Sequence, residues 1–142
     1  MADKVAIVGS GLIGRAWAIS FARGGYDVAV FDADDKAVAS ALGTIAALLS
    51  DLEASGMLKG QAAAEVRARV AGAASLRAAL AGAVHIQENA PEDVEVKREL
   101  FAKLDEAADK NAVLASSSSA ILPSRFTDGL ATKSRCLVAH PI

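Results

Sequence analysis

Three glycines and one aspartate have the types and spacing of a nucleotide-binding loop. Gly9, Gly11 and Gly14 follow an apolar run at residues 5–8, and Asp32 closes the next apolar run. In such a unit the first glycine permits a tight turn, the second lets the backbone approach a pyrophosphate, and the third lets a helix pack closely on the strand. The amides and dipole at the start of that helix favour an anion. The pattern predicts a dinucleotide site.

Asp32 also predicts which dinucleotide is bound. It lies about 20 residues beyond the glycines, where a carboxylate accepts hydrogen bonds from both ribose hydroxyls of an adenosine. A 2′-phosphate would be repelled there, so NAD is favoured over NADP. The alternative is a βαβ unit whose glycines only permit close packing. We favour the cofactor interpretation because the acid follows at the expected distance.

A second set of residues could carry chemistry on a substrate. His140 ends the last predicted strand and could accept a proton from a hydroxyl group while hydride leaves the same carbon. Ser119 could hold that hydroxyl. The alternatives are a histidine that only ends a strand and a serine run that only forms a polar turn. Taken alone, Glu92 and Lys97 are read as two residues of one helix, and a solvated helix surface is favoured for them.

Strands and helices alternate along the whole chain. The helices carry apolar residues at spacings of three and four, and Ser75, Pro91, Gly25 and Gly56 mark predicted starts or ends. This alternation predicts an α/β fold, a Rossmann-type doubly wound and mainly parallel sheet with helices on both faces. A helical hairpin is inserted between the second and third strands. The predicted strands are 5–8, 26–31, 70–74, 83–87, 112–115 and 135–140, and the predicted helices are about 12–23, 34–55, 61–69, 75–80 and 91–108, with a turn or short helix at 122–127.

This topology would bring the candidate residues together, because the loops after parallel strands lie at one edge of the sheet. The segments concerned are 9–14, 32, 89–92, 116–119 and 140.

Length and composition fit one domain, residues 1–142. A net charge of −2 argues against a nucleic-acid partner, and the apolar runs are too short to predict a membrane span. The N-terminus shows no signal peptide. Cys136, the only cysteine, lies in an apolar run and is expected to be a small buried side chain. We expect a cytoplasmic or otherwise reducing compartment.

Several motifs together resemble the 3-hydroxyacyl-CoA dehydrogenase family. They are the segments Gly9–Trp17, His85–Glu88, Pro91–Glu92, Ala115–Ser119 and Val138–Pro141. The resemblance covers the chain from about Lys4 to Ile142. It implies oxidation of a 3-hydroxyl group, on a 3-hydroxyacyl-CoA or on a small hydroxy acid such as L-gulonate, with NAD as hydride acceptor.

The resemblance also implies individual roles on the cofactor side. Leu12 and Ile13 would contact NAD through their backbone, and Asp32 would bind the adenosine ribose. Glu92 and Lys97 would line the nicotinamide side, which reverses the interpretation of that pair as a solvated surface.

On the substrate side, the resemblance implies that Ser119 contacts the substrate hydroxyl and the nicotinamide ribose. His140 would be the catalytic base. No metal ligand is predicted. The helical hairpin would lean over the substrate.

Members of the family continue beyond the histidine, with a glutamate that orients it and an all-helical domain that carries the dimer interface. This sequence ends at Ile142. We therefore expect the NAD-binding half of a dehydrogenase, with the C-terminal helical domain absent and little activity from this chain alone. The alternative is a truncated nucleotide-binding or structural, crystallin-like module without catalysis of its own. Bare apolar surface would favour a homo-oligomer.

Overall fold

The structure, a computed structural model, describes all 142 residues. Six parallel strands form one sheet in the order β3-β2-β1-β4-β5-β6. The strands are β1 (Lys4–Val8), β2 (Asp27–Phe31), β3 (Val70–Gly72), β4 (Ala83–Glu88), β5 (Val113–Ser116) and β6 (Cys136–Val138). The helices are α1 (Leu12–Arg23), α2 (Asp35–Ala54), α3 (Ala63–Ala68), α4 (Leu76–Leu80), α5 (Val94–Ala107) and α6 (Ser124–Thr127). A 3₁₀ turn at Lys133–Arg135 leads into β6.

Helices cover both faces of the sheet, which explains why β1 is an unbroken apolar run. One core layer contains Ile7, Ile45 and Val66, and it packs under α1, α2 and α3. The opposite layer contains Ile86 and Phe101 and packs under α4 and α5. The predicted doubly wound, parallel α/β architecture is confirmed.

The inserted hairpin consists of α2 and α3. The Asp34 side chain caps α2 by accepting a hydrogen bond from the Lys36 amide at 3.0 Å, and Gly56 follows the helix with φ +69°. By length and by a mean hydropathy of 1.4, α2 could cross a membrane. Here Ile45 and Leu49 on its inner face are fully buried against the protein core, and most of the other residues of the helix are not buried.

Two predicted boundaries are wrong near the site. Helix α5 begins at Val94 rather than at Pro91, because the Asp93 carboxylate accepts from the Val96 amide at 3.0 Å and the Asp93 amide donates to the Pro91 carbonyl. Glu92 therefore precedes the helix that contains Lys97. Strand β6 has three residues instead of six.

Cys136 is half-buried rather than fully buried. Burial raises the pKa of its thiol, which disfavours the reactive thiolate.

Candidate cofactor and active site

The strand order creates a crevice at the carboxyl end of β1. Its neighbours β2 and β4 are reached by connections on opposite faces of the sheet, so the loops diverge beyond β1. A cleft of about 590 Å³ opens there. Gly9, Gly11, Asp32, Pro91 and Leu100 are among the residues that line it. The loops after β1, β2 and β4 thus meet at this edge as predicted, whereas the segments 116–119 and 140 do not line the cleft.

The three glycines of the first loop differ in whether neighbouring protein atoms leave room for a side chain. Gly9 has φ +96°, and a Cβ there would lie 2.8 Å from the Asn89 carbonyl oxygen. A Cβ on Gly14 would lie 1.9 Å from the Gly9 carbonyl oxygen. At Gly11 no protein atom lies within 4 Å of a Cβ position, so no protein packing requires glycine there. Gly11 also lines the cleft, and the absence of a side chain there is the condition for close approach of a ligand to the backbone.

The start of α1 is an uncapped helix N-terminus. Gly11 is the N-cap and provides no side-chain hydrogen bond. The first-turn amides of Leu12, Ile13 and Gly14 have no acceptor within the helix. The Leu12 and Ile13 side chains are 74% and 39% exposed. These free amides fit an anionic group such as a pyrophosphate.

Asp32 closes the other side of the same loop. Its Oδ2 accepts hydrogen bonds from the Ser10 amide and the Ser10 hydroxyl, each at 2.8 Å, and its Oδ1 accepts from the Asp34 amide at 3.1 Å. Burial is the largest single influence and opposes ionisation, but the Ser10 and Asp34 hydrogen bonds outweigh it, so the pKa of Asp32 is lowered. A charged carboxylate at the cleft fits two ribose hydroxyls and repels a 2′-phosphate.

Glu92 binds the serine loop that follows β5. Its Oε1 accepts from the Ser118 hydroxyl at 2.6 Å, and its Oε2 accepts from the Ser119 amide at 2.7 Å and the Ser119 hydroxyl at 2.9 Å. Burial, the largest influence, favours the neutral acid. The serine hydrogen bonds and the Lys97 charge outweigh it and lower the pKa of Glu92 from 4.5 to about 2. The structure therefore brings two of the predicted site residues, Glu92 and Ser119, into contact.

Lys97 is buried, with 2% of its side chain exposed, so the interpretation as a solvated helix surface is wrong for it. Its Nζ lies 2.6 Å from Oε1 of Glu88 and 3.8 Å from Oε1 of Glu92, and donates to the Ala90 carbonyl at 3.2 Å. In this structure Lys97 lies beside Glu92, which binds the serine loop. Its direct contact with a cofactor stays a prediction.

Glu88 is a site residue to which the sequence reasoning gave no role. It is completely buried and accepts from Lys97, from the Ala90 amide at 2.8 Å and from the Ser116 hydroxyl. An acidic residue at the end of an apolar strand, nine positions before a lysine, is the signal that could have identified it.

His140 lies just beyond β6 and is exposed, without a side-chain hydrogen bond within the chain. The preceding residue, Ala139, is held at both ends. Its amide donates to the Ser116 carbonyl at 2.9 Å, and its carbonyl accepts from the Gln87 side chain at 3.1 Å. His140 thus follows a fixed residue next to the serine loop that Glu92 binds.

The fold and the loop together define a Rossmann-type NAD-binding domain. The glycine cradle, the free amides of α1 and the charged Asp32 all fit the pyrophosphate and adenosine ribose of NAD. Residues 4–142 match the family model described as "3-hydroxyacyl-CoA dehydrogenase, NAD binding domain". The chain belongs to this family, as the sequence motifs indicated.

Known relatives agree with this assignment. The chain is 49% identical to the lambda-crystallin homolog of Bos taurus over 139 residues, which is 97% of this chain and 43% of that protein. It is 35% identical to an L-carnitine dehydrogenase of Pseudomonas sp over 136 residues, 96% of this chain and 41% of that protein. The chain thus spans less than half the length of both relatives.

A solved structure has the same fold. The crystal structure of 3-hydroxybutyryl-CoA dehydrogenase from Escherichia coli K12 superposes with a TM-score of 0.90 at 28% identity. The match covers 99% of this chain and 29% of that one.

Proposed function

We propose that this domain belongs to a dehydrogenase that oxidises a 3-hydroxyl group of a small hydroxy acid or a 3-hydroxyacyl-CoA. When bound, NAD accepts a hydride from the carbon that carries the hydroxyl. The first-turn amides of α1 bind the pyrophosphate, and Asp32 binds the adenosine ribose. The remaining residues of the site hold the substrate and move its proton.

His140 is the proposed base. Its ring is exposed at the edge where the loops converge, so a substrate hydroxyl can reach it. Ser119 donates or accepts a hydrogen bond at that hydroxyl and keeps it oriented. Because Glu92 accepts from both the amide and the hydroxyl of Ser119, the position of this serine is set before substrate arrives.

The observation that carries the proposal is this Glu92–Ser119 contact beside the end of β6. A polar turn with no function would not need a carboxylate from another loop bonded to two of its serines. The buried Lys97 beneath Glu92 adds a fixed positive charge. These contacts support a prepared hydroxyl-binding group in the loop after β5, the strand that pairs with the one leading into His140.

A small 3-hydroxy acid is the favoured substrate class. The relatives with the higher identities are lambda-crystallin homologs, and the next are L-carnitine dehydrogenases, whose names specify a free hydroxy acid. The structural neighbour that acts on 3-hydroxybutyryl-CoA has lower identity. L-gulonate, L-carnitine and 3-hydroxybutyryl-CoA are therefore the three substrates to compare.

Turnover with these substrates tests the proposal. The protein is mixed with NAD and each candidate, and NADH formation is followed at 340 nm beside the His140→Gln variant. NADH formation that His140→Gln reduces by at least 100-fold supports the proposal. Turnover that survives this substitution would exclude His140 as the base.

A second candidate is a nucleotide-binding module without catalysis of its own. The observation that favours it is the exposed His140, which has no carboxylate within hydrogen-bond distance in this chain and so lacks the orienting partner of a histidine base. NADH binding measured by its fluorescence, with no turnover of any of the three substrates, would support this candidate.

We further propose that other protein surface completes the substrate pocket. Leu122, Leu137 and Val138 expose 69%, 43% and 39% of their surface close to the serine loop and His140. A second copy of the chain or a helical domain could cover them. Sedimentation velocity at several concentrations distinguishes self-association, which we expect, from a monomer.

A further inference from the structure

Gln87 is a completely buried glutamine on β4, below the proposed active site. Its Nε2 donates to the Ala139 carbonyl at 3.1 Å and to the Ser117 hydroxyl at 2.8 Å, and its Oε1 lies 2.9 Å from His85 Nε2. Both amide hydrogens and the amide oxygen are therefore engaged. A side-chain amide with all of these partners is locked in one orientation.

The contact with Ala139 fixes the peptide group that leads into His140. The Ala139 carbonyl and the His140 nitrogen belong to the same planar unit, so holding the carbonyl sets the direction in which the chain enters His140. The other side of Ala139 is held by the hydrogen bond that its amide donates to the Ser116 carbonyl. The two contacts come from different strands, β4 and β5.

Without this contact, little would hold the end of β6. The strand has three residues, lies at the edge of the sheet and pairs only with β5. Leu137 and Val138 are exposed on it, and His140 itself makes no side-chain hydrogen bond. Short segments of this kind fray unless they are tied down. Gln87 reaches this segment from beyond the neighbouring strand.

We propose that Gln87 is a positioning residue for His140, acting through the Ala139 carbonyl. The inference rests on the proposed role of His140 as the base. It adds that the orientation of this base is set from within the sheet, by a buried amide on β4 that touches neither the cofactor cleft nor the substrate side.

The test compares Gln87→Met, which keeps the length of the side chain and removes its polar atoms, with Gln61→Met as a matched control. Gln61 also donates to a backbone carbonyl, that of Arg23 at the end of α1, and accepts from Arg69 after α3, so its partners do not include Ala139. Amide hydrogen exchange and the carbonyl carbon shift of Ala139 are measured by NMR on the whole chain.

We expect Gln87→Met to speed exchange at the Ala139 amide by about fivefold to tenfold, the effect of losing one hydrogen bond. The Ala139 carbonyl carbon should shift upfield, while exchange in β1 and β2 stays unchanged. Gln61→Met should move none of these signals. Unchanged exchange and carbonyl shift at Ala139, or an equal rise throughout the sheet, would overturn the proposal.

Gln87→Glu replaces the methionine variant if that variant does not fold. It keeps the shape of the side chain, but its carboxylate oxygen cannot donate a hydrogen bond to the Ala139 carbonyl. The same two readouts at Ala139 apply to it. In a preparation that turns over substrate, either variant should lower kcat at least tenfold and leave KM for NAD within twofold. Absence of NADH binding by the unsubstituted protein would count against the proposed function, whereas the NMR result decides the role of Gln87 separately.

Discussion

Lys97 and Glu88 form an ion pair that is almost entirely removed from water, with Nζ 2.6 Å from Oε1 and side chains 2% and 0% exposed. A buried pair of this kind contributes little net stability as a pair, because desolvation offsets the attraction. The pair matters here because it fixes the Lys97 ammonium next to Glu92, 3.8 Å from its Oε1. Removing either partner alone should lower the free energy of unfolding, because the other charge stays buried without a partner.

Lys97→Met should therefore lower the free energy of unfolding by about 3–5 kcal/mol, because Glu88 would keep a buried charge without its partner. The double variant Lys97→Met/Glu88→Gln should recover most of that loss, since no charge remains buried. Lys103→Met, at an exposed lysine of α5, is the control. Urea unfolding monitored by circular dichroism gives the values. A single variant as stable as the control would contradict the assignment.

Glu92 should make the protein sensitive to acid. Its folded pKa of about 2 lies below its ordinary value of 4.5, so the carboxylate contributes stability fully above about pH 4.5 and loses it as the pH falls toward 2. The stability difference between the protein and Glu92→Gln should thus be constant above that range and shrink within it.

Unfolding measured between pH 7 and pH 2 checks this expectation. Glu106→Gln, at an exposed glutamate on α5 without a side-chain hydrogen bond, is the control. A Glu92→Gln difference that stays constant down to pH 2 would mean that the serine contacts do not hold the carboxylate ionised.

Alanine substitutions at Gly11 and at Gly9 should have different effects, the first on NADH binding and the second on stability. Gly11 has open space for a Cβ and a φ of −68°, so Gly11→Ala should change the free energy of unfolding by no more than about 0.5 kcal/mol. NADH affinity should fall at least tenfold, because the methyl group would block the approach of the ligand to the backbone. Gly9→Ala combines φ +96° with contact on Asn89 and should cost about 1–3 kcal/mol.

Gly43→Ala, inside α2 and also in open space, should raise stability by about 0.5–1 kcal/mol and leave binding unchanged. Fluorescence titration with NADH and thermal unfolding are the two measurements. Tight NADH binding by Gly11→Ala would show that the ligand does not approach this loop.

Asp32→Ala should weaken NADH binding by roughly 10- to 100-fold, the loss of a charge-assisted hydrogen bond, and should reduce discrimination against NADPH. Asp35→Ala, at the exposed acid that begins α2, is the control and should bind as the unsubstituted protein does. Fluorescence titrations of each variant with NADH and with NADPH give the affinities that test this expectation. Equal affinities before and after the Asp32 substitution would place the ribose elsewhere.

Much of this site could be predicted because its signals are local. The glycine spacing, the apolar run at β1 and the acid after β2 lie within one βαβ unit, and each follows from backbone conformation or periodicity. The alternation of strands and helices also predicts a parallel sheet covered on both faces, but the order β3-β2-β1-β4-β5-β6 comes from the structure. The structure shows tight packing at Gly9 and Gly14, where a Cβ would clash, while ribose binding by Asp32 stays a prediction.

What could not be predicted depends on side chains that meet across the sheet. The burial of Lys97 requires the position of Glu88 on a different element, and a lysine on a helix is usually solvated. Pro91 is a typical first residue of a helix, but the capping carboxylate of Asp93 moves the start to Val94. The contact between Gln87 and Ala139 joins residues 52 positions apart and leaves no periodic signal.

Trp17 is the only tryptophan, and its indole N–H donates to the Ser117 hydroxyl at 3.0 Å across 100 residues of sequence. The bond can form only after the amino-terminal βαβ unit has met β5. The emission spectrum of this single tryptophan thus reports docking of the two halves, so refolding kinetics can be followed without any label.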